Sequence, residues 1–295
     1  MTPATHRTLP VPGLRHLGAF FGLSFGITWG LAGLYFAFPA PVEAWFGPFE
    51  DVTHPLFMLA TYAPAISAFV VVAAAGGGRA LRAYARRLLH WNVHPGWYAA
   101  VLLGIPASLL AARGIAAALG TDLPPWPAAP WPELLGSALL LLVLDPGPVE
   151  EIGWRGFALP LLQRHMSALA ASLLLGLVWG VWHLPAFLME GSPQSDYAFW
   201  IFVLGSMILS VVMTAVYNGT RGSIPRAFLF HYANNDPLGI GKSEVALPWI
   251  AIVTAVALLL VVTLGPARLA ARKEVDPLAR GSEAGRSSDA SAPAA

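Results

Sequence analysis

Glu133-Leu-Leu-Gly-Ser-Ala-Leu-Leu-Leu-Leu-Val-Leu144 runs into Asp145-Pro-Gly-Pro-Val-Glu-Glu-Ile-Gly-Trp-Arg-Gly-Phe157, and the apolar pattern then resumes as Ala158-Leu-Pro-Leu-Leu162. A run this apolar belongs in lipid or in a deep core. Two adjacent glutamates and an arginine in its middle are costly in either place, so they mark function before they mark structure. Pro146, Gly147 and Pro148 interrupt the helix, and Pro148 suits the first position of a renewed one, where its missing N–H does no harm. Glu150 and Glu151 then fall in the first turn, at the positive end of the helix dipole. Glu151 and Arg155 are four apart and pair on one face. Glu150 points about 100° away and has no partner in the local sequence, which suggests one structural and one reactive carboxylate.

The rest of the 295-residue chain decides between lipid and core. Hydrophobic residues make up 56% and charged residues 11%, whereas a soluble domain carries roughly a quarter charged residues. Mean hydropathy is +0.62. There is too little polar surface for a water-soluble fold, and the composition reads as all-α, a polytopic membrane helix bundle. About eight apolar segments reach spanning length: Leu17–Phe38, Pro55–Ala75, Trp97–Leu119, Glu133–Leu144 continuing past the break to Leu162, Ser167–Glu190, Ala198–Tyr217, Ser223–Ile240 and Leu247–Leu264.

Arginines sort the loops. Arg7 and Arg15, then Arg79, Arg82, Arg86 and Arg87, then Arg164, then Arg221 and Arg226, then Arg268, Arg272 and Lys273 fall on one side if the spans alternate. The opposite loops carry Glu43, Glu50, Asp51, Asp122, Glu190 and Asp196. The positive-inside rule puts both termini in the cytoplasm, as an even number of spans requires. The expected organisation is a cytoplasmic segment 1–16, a transmembrane bundle 17–265 with a motif core at 145–236, and a disordered cytoplasmic tail 266–295. Arg113, near the outer end of the third span, reads as a snorkelling side chain. Trp126 and Trp131 read as interfacial anchors. The expected location is integral and multi-pass, in the inner membrane of a bacterial cell.

The near balance of 17 basic and 16 acidic residues gives no nucleic-acid footprint, and the absence of cysteine excludes disulfides, thiol nucleophiles and Cys-based metal sites. Gly18, Gly22, Gly26 and Gly30 lie on one face of the first span and let a helix approach closely. Packing within the chain is the first use for that face, and a homodimer is the second.

Two further polar features occupy late spans. His183 lies in Trp179-Gly-Val-Trp-His-Leu-Pro185, with Gly176 and Gly180 offering a small face beside it. His231 and Asn235 lie in His231-Tyr-Ala-Asn-Asn235, four apart and so on one face, with Asn234 pointing elsewhere. At 1.5 Å per residue, Glu150 lies ~21 Å from the helix end near Arg164, His183 ~24 Å in from Ser167, and His231 and Asn235 ~14 and ~20 Å in from Gly222. These depths allow the four groups to meet near mid-membrane, in a site open to the cytoplasmic side. A lone intramembrane His is ordinarily a hydrogen-bonded packing residue. Three such features in a chain this poor in charge point to a site.

Glu150-Glu151-x-x-x-Arg155, an aromatic-x-x-x-His183 and His231-x-x-x-Asn235, in order on successive spans, resemble the CPBP family. This is the CAAX-protease and bacteriocin-processing (Abi) family of intramembrane endopeptidases. The resemblance covers about Asp145 to Asp236, and one departure is Trp179, where the family usually has Phe. It implies an eight-helix bundle hydrolysing a peptide bond of a peptide or membrane-protein substrate. It implies that Glu150 and His183 activate a water and that His231 and Asn235 stabilise the oxyanion. Glu151, Arg155 and Trp179 then support the site. No cofactor is favoured. The metal alternative is Zn²⁺ on Glu150, His183 and His231 with an open fourth position, although no HExxH segment is present. The functional alternatives are a non-catalytic scaffold or bacteriocin-immunity protein of the same fold, and a proton-relaying transporter, for which no half-repeat is evident.

Overall fold

The computed structural model describes residues 12–195 and 197–271. Every regular element among them is helical. Seven segments are long and apolar enough to cross a membrane: Leu14–Ala37, Ala63–Leu89, Gly96–Ala118, Trp131–Gln163, Ala168–Leu188, Phe199–Gly219 and Ala246–Leu264. The chain is an integral membrane helix bundle.

The elements are α1 (Leu14–Ala37), α2 (Pro39–Phe46), α3 (Pro55–Thr61), α4 (Ala63–Arg86), α5 (Gly96–Ala118) and α6 (Trp131–Leu144). They continue with α7 (Glu151–Gly153), α8 (Leu159–Gln163), α9 (Ala168–Trp182), α10 (Phe199–Gly219), α11 (Ile224–Asn234) and α12 (Ala246–Leu264). α1 packs on α4, α9 on α10, and α5 and α10 both flank α12, while α11 lies against α5 and α10. Gly176 sits where α9 meets α10. A Cβ there would lie 2.6 Å from Met207 Cα and 2.7 Å from Ser206 O, so the small face at Gly176 brings two backbones into contact. Gly176→Leu is expected to lower stability by about 1–3 kcal/mol or to stop folding, because backbone on the far side cannot give way. Thermal unfolding of the detergent-purified protein measures it.

The expected eighth span is where structure and sequence reading part. α11 has 11 residues, about 16 Å at 1.5 Å per residue, against a hydrocarbon core of ~30 Å. The helix stops at Asn235 because Asp236 takes a left-handed φ of 56° and Pro237 follows. The Asp236 carboxylate then accepts the backbone N–H groups of Ile240 (2.8 Å), Gly241 (2.8 Å) and Lys242 (3.1 Å). α11 is therefore a buried half-helix continued by a folded loop. Non-helical backbone at this depth is tolerated where it lines a cavity, and this loop does.

Hydrogen bonds between chain segments show which ends lie together. Arg164 Nη1 donates to Pro12 O (2.8 Å). The amides of Ala168 and Leu169 donate to Ala267 and Pro266 (both 3.0 Å), and Asn218 Nδ2 donates to Arg268 O (2.7 Å). Ser223 Oγ and Arg226 Nη2 donate to the carbonyls of His90 and Trp91 (both 2.7 Å). The first and last described residues thus share one end of the bundle with the α4–α5, α8–α9 and α10–α11 junctions. α11 and its loop together make the crossing that keeps the first and last described residues on one side.

Three expectations change. The chain does not leave the bundle at 266, since Leu269 is fully buried; the tail from 272 lies outside the described residues. Arg113 does not snorkel: Nη1 donates to Ile240 O at 2.8 Å and Nη2 to Pro124 O, tying the loop to α5. Gly18, Gly22, Gly26 and Gly30 all face outward, and nothing lies within 4 Å of a Cβ built on any of them. The stripe therefore packs on no neighbouring helix among the described residues.

Candidate active site

The interrupted fourth span builds one wall of the site. After α6, Asp145 Oδ1 accepts the Gly147 amide (2.9 Å), which turns the chain into a tight 3₁₀ turn, Gly147–Glu150. α7 follows, then a π-helical stretch, Trp154–Ala158, which widens the helix locally as such bulges do at functional sites. The Cβ of any residue replacing Gly147 would lie 2.7 Å from Asn235 Nδ2 and 3.3 Å from His231 Nε2. Only glycine lets these side chains approach the turn.

Glu150 is buried and does have partners. Its Oε2 accepts the indole N–H of Trp179 (2.7 Å) and of Trp154 (3.1 Å). Both donors address the same oxygen, which leaves Oε1 for the cavity that Glu150 lines. Trp154 lies one turn after Glu150, so this partner was present at i+4 in the sequence but carried no charge to reveal it. Trp179, expected as packing, is a hydrogen-bond donor to the carboxylate. It also lies under the Arg155 guanidinium, whose carbon is 4.9 Å from the ring centroid.

Glu151 is the ion-paired carboxylate. Its Oε1 accepts Arg155 Nη1 (3.0 Å) and His231 Nδ1 (2.8 Å). Arg155 Nη2 donates onward to Ser210 Oγ on α10 (3.2 Å). Glu151 and Arg155 are both fully buried, so this network clamps the fourth span to α10 and α11.

The two histidines have assigned faces. His183 Nδ1 lies 2.8 Å from the Trp179 carbonyl oxygen. A carbonyl only accepts, so Nδ1 carries the hydrogen and the neutral ring turns the Nε2 lone pair outward. His231 Nδ1 likewise donates to Glu151, which orients its Nε2 toward Gly147. The Trp179 ring stands between them, 5.5 Å from His183 and 5.4 Å from His231 by centroids. Asn235, exposed at the end of α11, donates through Nδ2 to Asp145 Oδ2 (2.8 Å).

Glu150, His183, His231 and Asn235 line a single cavity of about 590 Å³. Its apolar walls include Leu31, Phe57, Ile201, Leu209 and Ile250. Three of its residues escaped the sequence reading. Asp145 was hidden among turn residues. Asn234 does not point away: its backbone and side-chain oxygens accept Lys242 Nζ at 2.8 and 3.1 Å. Among the described residues Lys242 is the only Lys or Arg lining the cavity. No sequence spacing announces it, because the Asp236 turn alone folds it inward.

Among the described residues no three His, Asp or Glu side chains are gathered to hold a metal ion. The cavity also does not open where expected. Its lining comes from the later half of α1, from α3 and from the loops after α9 and α11, all remote from the end that holds Pro12, Arg164 and Arg268. Exposed Pro193, Ser243 and Glu244 form part of its rim.

Residues 131–235 match the family described as Type II CAAX prenyl endopeptidase Rce1-like. A curated protein of Methanococcus maripaludis, CAAX prenyl protease 2, is 33% identical over 103 residues, which cover 33% of this chain and 38% of that protein. The matched stretch runs from the start of α6 to Asn235 and so contains Glu150, Glu151, Arg155, His183, His231 and Asn235. The segment 131–235 is thus similar to that family of endopeptidases, and the chain spans under two fifths of the curated relative's length.

Proposed function

We propose that this chain is an intramembrane endopeptidase that hydrolyses a peptide bond by a water activated between Glu150 and His183. One observation carries the reading: Glu150, His183, His231 and Asn235, from three distant stretches, line the same cavity. A soluble protein gathers such groups at little cost, but a lipid-embedded bundle keeps ionisable residues where they act.

Glu150 is held at one oxygen by Trp154 and Trp179, which leaves the other free to take a proton. His183 presents Nε2 as an acceptor and orients the water. As the water oxygen attacks the carbonyl carbon, its proton passes to Glu150 and negative charge collects on the former carbonyl oxygen. The negative charge of Glu151 stabilises His231 when the ring carries two protons, and Nε2–H then donates to that oxyanion. Asp145 holds one N–H of the Asn235 amide, leaving the second for the same oxygen. Preorganised donors of this kind are worth about 3–4 kcal/mol each in sites that exclude water. The C–N bond then breaks, and the proton on Glu150 moves to the leaving amine.

Water activation in this reading needs no metal. Overnight dialysis against a strong chelator is expected to leave peptide cleavage within about two-fold of the untreated rate, with elemental analysis showing less than stoichiometric zinc. Activity lost on chelation and restored by zinc alone would overturn the metal-free mechanism. The test of function itself is cleavage of a peptide library by the purified protein, with Glu150→Gln as the control and product termini read by mass spectrometry.

A further inference from the structure

The two ends of the bundle differ sharply in charge. Arg15, Arg79, Arg82, Arg86, Arg87, Arg164, Arg221, Arg226 and Arg268 belong to the end that gathers the first and last described residues. The opposite end has Arg113 and Lys242, set against Glu43, Glu50, Asp51, Asp122, Glu133, Glu190, Asp236 and Glu244. Arg113 is consumed by carbonyls of its own end and Lys242 by Asn234. Retained arginines in short loops settle on the cytoplasmic side of a membrane.

The cavity is lined by the second, arginine-poor half. Tyr35 closes α1 on that side, His54 and Leu56 lie on the short α2–α3 layer, and Pro193 and Ser243 sit on the loops at the rim. The helices that carry the site enter from the arginine-rich end, α9 from Ala168 and α11 from Ile224, and stop at the cavity. The arginine-rich end is packed shut by Tyr84, Arg87 and Tyr217: Arg87 donates to Gly156 O (2.6 Å) and to Tyr217 Oη (2.5 Å), and Tyr84 donates to Ile152 O.

We propose that the site is served from the extracytoplasmic face, so that its substrate is a peptide or protein segment presented outside the cytoplasm. A lipidated tail held on the cytoplasmic leaflet would meet the closed end. The inference rests on the endopeptidase reading for what is cut, but the side of access stands on charge and geometry alone.

The chain contains no cysteine, so single substitutions report their own exposure without background. Ser243→Cys and Pro193→Cys mark the rim; Arg82→Cys and Arg221→Cys mark the opposite end. In intact cells producing the full chain, a membrane-impermeant maleimide is expected to label the rim positions at least ten-fold faster than the arginine-end positions, which react fully only after the membrane is opened. Rim positions silent until lysis, or equal labelling at both ends, would overturn the proposal. Each variant is read against its own labelling in denaturant, so an unreactive thiol is not mistaken for a protected one. A second arm adds a cleavable peptide to sealed spheroplasts. Product formed without lysis and abolished by Glu150→Gln supports outside access. Cleavage confined to lysed cells overturns it while leaving the endopeptidase intact. Correct labelling with no cleavage in any sample removes the enzyme reading and leaves the orientation standing.

Discussion

Glu150→Gln is expected to reduce the turnover of peptide hydrolysis by about 10³-fold, roughly 4 kcal/mol of transition-state stabilisation, with melting behaviour near that of the parent. The amide oxygen of glutamine still accepts the indole N–H groups of Trp154 and Trp179, so the packing around Oε2 survives. What is lost is the ability to take a proton from water. The substitution thereby separates chemistry from architecture. Trp154→Phe and Trp179→Phe remove one donor each and are expected to cost less, about ten-fold, because one indole still holds the carboxylate. Initial rates on a peptide identified from the library, with KM and kcat separated, measure these effects. Unchanged turnover in Glu150→Gln would overturn the role given to Glu150, and no hydrolysis by the parent protein would favour a non-catalytic scaffold or immunity protein with the same fold.

The second large effect is on stability. Arg155→Met is expected to destabilise the protein by about 3–5 kcal/mol, because it leaves the fully buried Glu151 carboxylate without its cation. Glu151→Gln alone strands the guanidinium in the same way. The double substitution Glu151→Gln with Arg155→Met removes both charges and is expected to recover part of the loss. That non-additivity is the signature of a coupled pair. Activity is not expected to return with stability, since the amide oxygen at 151 still accepts His231 Nδ1–H but no longer supplies the negative charge that stabilises the doubly protonated ring. Thermal unfolding in detergent gives the first quantity and peptide cleavage the second. Equal losses in the single and double variants would mean that the pair adds nothing beyond packing.

Much of the site was legible because its chemistry sits in short range. Glu151 and Arg155 at i, i+4 paired as spacing required, and His231 and Asn235 share the end of one helix. The turn renewed at Gly147 ends on Glu150, and Glu151 opens α7 directly after it. What spacing could not supply was any contact between stretches. The second indole on Glu150 comes from Trp179 on another helix. The acceptor for His231 is Glu151, eighty positions away. Asp145 reaches Asn235 only because the chain turns at Gly147. Lys242 enters the cavity only through the Asp236 turn. Hydropathy also could not tell a buried half-helix from a span, since α11 and the apolar residues after it look alike to a sliding average.

Composition and arginine placement alone determined that the chain lives in a membrane, that it is helical, and that Pro12 and Arg268 belong to the same end of the bundle, because lipid forbids unpaired backbone and charge sorts across a bilayer. Tertiary structure alone decided which oxygen of Glu150 is free, which nitrogen of each histidine faces the cavity, and toward which surface the cavity opens. Those properties depend on side chains from separate helices meeting at hydrogen-bond distance, and packing geometry, not sequence order, sets that distance.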